Sequence, residues 1–112
     1  MQPIVVHGGG PAITSWMAKL GIRSEFVRGL RVTDEPSLEV AVAVLAGLIN
    51  KQLVSQLQAL GADAVGISGA DGGLLRGTVV DPDLGFVAGS LSVETALLKS
   101  TLLSGYLSLI HI

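Results

Sequence analysis

The residues best suited to chemistry form a glycine-rich turn near the start of the sequence. Gly8, Gly9 and Gly10 stand between a short apolar run and Pro11, whose fixed φ suits the first turn of a helix. This end of a helix carries unpaired backbone N–H groups and a partial positive charge, and glycines let an anion approach without a Cβ in the way. The turn is a candidate site for a carboxylate or phosphoryl oxygen, although a tight strand-to-helix connection without a ligand explains the glycines equally well.

The spacing of these glycines differs from two familiar phosphate-binding loops. The chain lacks the pattern G-x-x-x-x-G-K-[ST] of a P-loop. Its glycines are consecutive rather than spaced as G-x-G-x-x-G, and no acidic residue follows about 20 positions later at a strand end, so a dinucleotide fold has weak support.

Arg31 is the second candidate for binding an anion. It lies between Leu30 and Val32, directly before the start of a helix, so its direction should be well defined. An oriented guanidinium can form a forked hydrogen-bonded pair with a carboxylate. Composition alone favours the alternative, a solvated arginine in a hairpin.

The other polar residues suggest structural roles. His7 lacks an Asp or Ser partner in a recognisable pattern, so we expect a histidine at a strand end with satisfied hydrogen bonds. Asp71 lies among glycines, where an Asx turn is the ordinary role, and Lys51 should be solvated on a helix. No cluster has the spacing of metal ligands, and the carboxylates are too scattered to form a catalytic pair. The sequence therefore assigns no catalytic residue and no metal.

Composition narrows the class of protein. The 112 residues are 49% hydrophobic and 14% charged, which fits one small folded domain. A net charge of −2 with two Phe, one Tyr and one Trp disfavours nucleic-acid binding. The absence of cysteine fits a reducing cytoplasm, and the longest apolar run, residues 40–49, is shorter than the ~20 residues of a membrane helix. We expect a soluble cytoplasmic protein that binds neither nucleic acid nor membranes.

Strand and helix patterns alternate, which predicts an α/β domain. The predicted elements are a strand over residues 4–6, a helix over 11–20, a hairpin over 26–32, a long helix to about residue 60, a strand over 63–68, a pair of strands over 74–80 and 85–91, and a helix over 93–103. Thr33 or Asp34 should cap the long helix, and Gly61 should end it. Its middle is apolar nearly all round, so we expect cover on more than one side, with a second copy of the protein as a natural cover.

Taken together, these motifs resemble the acetylglutamate kinases of the amino-acid kinase superfamily. The matching segments are residues 5–11, 29–34, 45–47 with Asn50 and Lys51, 64–69 with Asp71 and Gly72, and 83–89. They follow the order and spacing of the family, which predicts a partial amino-acid kinase domain over residues 3–106. The resemblance implies a three-layer α/β/α sandwich, of which this chain would be the N-terminal lobe that binds acetylglutamate.

The resemblance also implies an activity. The reaction would be ATP-dependent phosphorylation of the side-chain carboxylate of N-acetyl-L-glutamate to N-acetyl-L-glutamyl 5-phosphate, in arginine biosynthesis. Gly9 and Gly10 would contact the acylated amino acid, and Arg31 would pair with a substrate carboxylate. Family members are homodimers or hexamers built from dimers, with the long helix near the dimer seam.

The residues that bind ATP and Mg²⁺ in this family cannot be assigned in the chain. The family uses a Lys-x-Gly-Gly loop after its first strand, and a second Lys and an Asp in its C-terminal half. We therefore expect the nucleotide-binding half to lie outside these residues, and the 112-residue chain alone not to turn over.

The last six residues, 107–112, depart from the family. The family continues into a buried strand that contains Ile-Pro-Val, whereas this chain reads Leu-Ser-Leu-Ile-His-Ile. The hexapeptide resembles the translation of a transposon mosaic-end adapter used in sequencing libraries. We expect residues 107–112 to be a non-native tail in which His111 has no function.

Two alternatives stay open at this point. The first is another kinase of the same superfamily that acts on carbamate, aspartate, glutamate or uridylate. The second is a non-catalytic module that binds a small molecule or dimerises on the same scaffold. A Lys-x-Gly-Gly strand upstream would favour a kinase, and a DNA-binding domain there would favour a sensor.

Overall fold

Strands and helices alternate along the chain in a computed structural model that describes residues 2–111. The elements are β1 (Ile4–His7), α1 (Gly10–Lys19), β2 (Phe26–Val27), β3 (Leu30–Arg31), α2 (Glu35–Val42), a π-helical segment (Ala43–Ile49), α3 (Asn50–Ala59), β4 (Ala64–Ile67), β5 (Leu75–Val79), β6 (Ala88–Val93), α4 (Ala96–Leu103) and β7 (Leu107–His111). Two short 3-10 turns, Asp71–Gly73 and Pro82–Leu84, join the later strands.

The central sheet contains three parallel strands in the order β1-β7-β4. In the middle strand, the side chains of Ser108, Leu109 and Ile110 are buried. Parallel sheets are normally covered on both faces by the helices that connect their strands. Because the three strands are parallel, the carboxyl ends of β1, β7 and β4 meet at one edge of the sheet, where the glycine-rich turn begins.

Helices cover both faces of this sheet, which confirms the predicted α/β/α layers. Successive residues of a strand point to opposite faces. On one face the hydroxyl groups of Ser108 in β7 and Thr101 in α4 lie 2.8 Å apart. On the other face Asn50, at the start of α3, donates a hydrogen bond to the carbonyl of Leu109. An apolar core fills the space between α1 and the long helix and contains Ile13, Met17, Val40, Val44 and Leu45.

The long helix runs without a break through α2, the π-helical segment and α3. The backbone N–H of Ser37 donates to the carboxylate of Asp34 at 3.0 Å, so Asp34 is the cap. This hydrogen bonding lowers the pKa of Asp34 below its usual 3.8. The helix ends at Ala59, and Gly61 follows with a φ of 92°, as the sequence predicts.

The helix Glu35–Ala59 has 25 residues and is therefore longer than the apolar run 40–49, from which the sequence analysis judged membrane insertion. Among residues 2–111 it is the one helix long and apolar enough to cross a membrane by length and composition alone. A core helix of a soluble protein passes the same test, so the length is weak evidence.

The predicted pair of strands after β4 forms an antiparallel hairpin of β5 and β6. The last helix begins at Ala96 rather than at residue 93, because Val93 pairs with Leu75 in this hairpin. The strand β6 begins at Ala88 rather than at Gly85, since Gly85 lies against the backbone of Thr33. The backbone N–H of Thr33 donates to the carbonyl of Leu84 at 2.8 Å, which joins two motif segments that are far apart in sequence.

Residues 107–111 form β7, the middle strand of the sheet. They are therefore an integral part of this fold, at the place where the family is expected to have a buried strand. Strand pairing uses the backbone, so it does not test the origin of the six-residue tail 107–112. Their non-native origin stays a prediction, and Ile112 lies outside the described residues.

Candidate anion-binding site at the first helix

The glycine-rich turn connects β1 to α1, as the sequence predicts. The backbone N–H of Ile13 donates to the carbonyl of Gly9 at 3.0 Å and closes the first helical turn. No acceptor within residues 2–111 pairs with the backbone N–H groups of Gly9, Gly10 or Ala12. Pro11 has no N–H group, so these three donors remain available for a ligand at the start of α1.

Gly9 and Gly10 have different surroundings. A Cβ added at Gly9 would lie 2.8 Å from Cδ2 of Leu45 and would collide with the end of Ile49. A Cβ at Gly10 would meet no atom within 4 Å. Gly9 therefore permits close packing against the long helix, whereas Gly10 faces open space. The sequence alone suggests open access for a ligand as the reason for glycine, and it does not reveal the close packing at Gly9.

Arg31 lies beside the first turn of α1. One terminal nitrogen, Nη2, donates to Oγ1 of Thr14 at 2.8 Å and to the carbonyl of Gly10 at 3.3 Å. The other, Nη1, donates to Oγ of Ser24 at 3.0 Å and approaches Sδ of Met17 at 3.5 Å. All four partners are uncharged, and together they hold the guanidinium against the end of the helix.

The electrostatics of this arrangement favour an anion. The one ion pair among residues 2–111 joins Arg28 to Asp81, so Arg31 has no carboxylate within 4.0 Å. Its guanidinium is half-buried and lies 4.8 Å from the ring centre of Phe26. A fixed cation beside the positive end of a helix is unfavourable unless an anion sits between them. The structure thus brings the predicted residues Gly10 and Arg31 together. Among residues 2–111 no carboxylate compensates the positive charge of the Arg31 guanidinium.

A hydrogen-bonded network behind the turn contains residues that sequence reasoning missed. The side-chain amide of Asn50 donates to Nε2 of His7 at 3.0 Å, and Nδ1 of His7 lies 3.1 Å from the carbonyl of Gly8. The satisfied histidine at a strand end is thereby confirmed. Lys51, predicted to be solvated, is exposed but also donates to the carbonyl of Gly66 at 3.1 Å. A polar residue directly after the apolar run 40–49, still within the long helix, is the sequence signal that indicates Asn50.

Two other polar side chains, Asp71 and His111, lie in a turn and at the end of a strand. The carboxylate of Asp71 accepts hydrogen bonds from the backbone N–H and the hydroxyl of Ser68, which closes the turn after β4. His111 is half-buried at the end of β7, and within the described part of the chain its Nε2 has no hydrogen-bond partner. Burial lowers the pKa of His111, and the neighbouring His7 lowers it further.

A family model described as "Amino acid kinase family" matches residues 1–111. The chain therefore belongs to the amino acid kinase family, and the fold agrees with that assignment. Curated acetylglutamate kinases are similar to it in sequence. The protein from Methanopyrus kandleri is 48% identical over 96% of this chain and 46% of its own length, and that from Clostridium beijerinckii is 45% identical over 98% and 39%.

A third acetylglutamate kinase, from Caldanaerobacter subterraneus, is 46% identical over 98% of this chain and 38% of its own length. The chain thus spans less than half the length of these relatives. The crystal structure of smu.665 from Streptococcus mutans UA159 superposes with a TM-score of 0.91 and covers 98% of this chain and 45% of its own. At 22% identity that likeness shows the fold alone.

Proposed function

We propose that this chain is the acetylglutamate-binding lobe of an acetylglutamate kinase, with residues 3–106 as a partial amino-acid kinase domain. The complete enzyme would phosphorylate the side-chain carboxylate of N-acetyl-L-glutamate with ATP in arginine biosynthesis. The observation that carries this proposal is the uncompensated guanidinium of Arg31 at the open first turn of α1. The identity of 45–48% to the relatives from Clostridium and Methanopyrus favours this substrate among those of the family.

The substrate carries two carboxylates, and the site offers two kinds of hydrogen-bond donor that can bind an anion. Arg31 would bind one carboxylate by exchanging its hydrogen bonds to Thr14 and to the carbonyl of Gly10 for a charge-assisted pair. The free N–H groups of Gly9 and Gly10 would donate hydrogen bonds to the remaining anionic oxygens. Phosphoryl transfer depends strongly on positioning, and these two groups would position the acylated amino acid.

ATP with Mg²⁺ is the cofactor that the kinase family implies. Within residues 2–111 no group of three or more His, Cys, Asp or Glu side chains could hold a metal ion. The ammonium of Lys51 already donates to Gly66 and Asn50. Because the chain spans less than half the length of its relatives, we propose that ATP with Mg²⁺ is bound by residues outside this chain, and we assign the nucleotide no step here.

A homodimer, or a hexamer built from dimers, is the proposed assembly. An apolar groove runs between α1 and the long helix and is lined by Trp16, Leu20, Ala43 and Gly47. Trp16 and Leu20 are 39% and 60% exposed, although both are large apolar side chains. A second copy that covers this groove would bury them. We place the enzyme in the cytoplasm, without a nucleic-acid or membrane partner.

The test is a kinase assay on the longest natural protein that contains residues 3–106. Hydroxylamine traps an acyl phosphate as a coloured hydroxamate, so carboxylate substrates can be compared directly. We expect product from ATP with N-acetyl-L-glutamate and none with aspartate, glutamate or carbamate, or with UMP in a nucleotide-product assay. Turnover of another acceptor would identify a different kinase of the family. Binding of acetylglutamate without turnover would identify a non-catalytic module.

A further inference from the structure

We propose that Asn50 is a positioning residue for the glycine-rich turn, because it holds His7 in one neutral tautomer and so directs the backbone N–H of Gly9. The side chain of Asn50 is 1% exposed and lies between the long helix and the sheet. Its hydrogen bonds within residues 2–111 go to His7, Leu109 and Lys51, and none goes to Gly9, Gly10 or Arg31. Its effect on ligand binding rests on the proposed function, whereas its effect on His7 does not.

The orientation of the Asn50 amide follows from two partners that each have a single role. The carbonyl of Leu109 can only accept, and it lies 3.2 Å from Nδ2 of Asn50. The ammonium of Lys51 can only donate, and it lies 3.2 Å from Oδ1. Reversing the amide would oppose two oxygens on one side and two donors on the other. Nitrogen and oxygen are thereby assigned without reference to His7.

The tautomer of His7 follows from that orientation. The Nδ2 group of Asn50 also lies 3.0 Å from Nε2 of His7, so this ring nitrogen must accept and carries no proton. The proton of the neutral imidazole is then on Nδ1, which donates to the carbonyl of Gly8 at 3.1 Å. The hydrogen bond made by one ring nitrogen thus decides the state of the other.

This tautomer matters because of the peptide bond between Gly8 and Gly9. The bond is planar and trans, since the described residues contain no cis peptide, so its C=O and N–H point in opposite directions. A donor that holds the carbonyl of Gly8 therefore aims the N–H of Gly9 away from His7. Consecutive glycines have the largest backbone freedom of any residues, so they need such an external constraint to present a donor in one direction.

The same amide connects all three strands of the sheet. Asn50 reaches His7 at the end of β1 and the backbone of β7, and through Lys51 it reaches the carbonyl of Gly66 in β4. A Cβ at Gly66 would collide with Oδ1 of Asn50, which explains the glycine inside this strand. The contact to β7 uses a backbone oxygen, so it does not depend on which side chains stand at residues 107–112.

The proposal is tested by ¹⁵N NMR of the histidine rings in the longest natural protein that contains residues 3–106. The His7 signals can be assigned by their loss in His7→Gln. We expect Nδ1 to carry the proton and Nε2 to show the shift of an unprotonated ring nitrogen. In Asn50→Asp the carboxylate offers an acceptor to Nε2, so the proton should move to that nitrogen. An unaltered protein with its proton on Nε2 overturns the proposal, whether or not any variant folds.

Affinity for acetylglutamate gives the second measurement. We expect Asn50→Asp to raise Kd and KM for acetylglutamate by about tenfold or more, the loss of roughly one oriented hydrogen bond, with little change in KM for ATP. Gln52→Glu is the matched control, because it makes the same amide-to-carboxylate change on an exposed side of the same helix. Equal affinity in the Asn50→Asp and unaltered proteins overturns the positioning role. Failure of the unaltered protein to bind acetylglutamate, with the expected tautomer present, overturns the proposed function and leaves the tautomer assignment intact.

Discussion

Replacing Arg31 by alanine should weaken acetylglutamate binding strongly. The guanidinium is held by four uncharged groups and has no carboxylate partner among residues 2–111. Its proposed anionic partner is therefore the ligand, and a hydrogen bond to a charged group contributes about 1.5–3 kcal/mol. Since about 1.4 kcal/mol corresponds to tenfold in affinity, Kd should rise by roughly 10- to 150-fold. Arg31→Lys should recover part of this loss, because it keeps the charge but not the planar fork.

Isothermal titration calorimetry with acetylglutamate on the longest natural protein measures this effect. Arg28→Ala is the matched control, since Arg28 lies in the turn of the same hairpin and its exposed guanidinium pairs with Asp81 instead. We expect the control to bind as the unaltered protein does. An Arg31→Ala protein that melts cooperatively and still binds with the original Kd would remove Arg31 from the site.

Three further predictions concern packing, assembly and pH. Gly10→Val should leave the fold intact but weaken acetylglutamate binding in calorimetry. Gly9→Val should lower the melting temperature, because overpacking against Leu45 costs about 1–3 kcal/mol. The reverse pattern would contradict the proposed site. Ala43→Arg should shift a dimer to monomer in sedimentation, and an unchanged mass would place the interface elsewhere. Burial lowers the pKa of His111 below 6.5, so its neutral form stabilises the folded 112-residue chain above pH 6.5. That stability should be lost as the pH falls through the lower folded pKa, and urea unfolding of His111→Leu should lack this dependence.

Local signals in the sequence predict the elements that position the site. The apolar run, the glycines and Pro11 indicate the connection from β1 to α1, and Asp34 and Gly61 mark the ends of the long helix. These features depend on residues within a few positions of one another, which is why they can be read from one sequence. The two separate strands β5 and β6 are likewise indicated by their turn residues.

Contacts between distant residues are the part that the sequence does not reveal. Asn50 and Leu109 are 59 positions apart, and their hydrogen bond exists only because α3 lies on the sheet. The π-helical segment Ala43–Ile49 has no local signature, since its residues also suit an ordinary α-helix. Arg31 and Gly10 are 21 positions apart, and only the resemblance to a family suggests one site for both.

The most direct test of the central claim is a crystal structure of the longest natural protein with N-acetyl-L-glutamate bound. We expect a carboxylate of the ligand within about 2.7–3.2 Å of the guanidinium of Arg31, and an anionic oxygen at a similar distance from the N–H groups of Gly9 or Gly10. Ligand density elsewhere, with Arg31 still bonded to Thr14 and Ser24, would contradict the assignment of this turn as the substrate site.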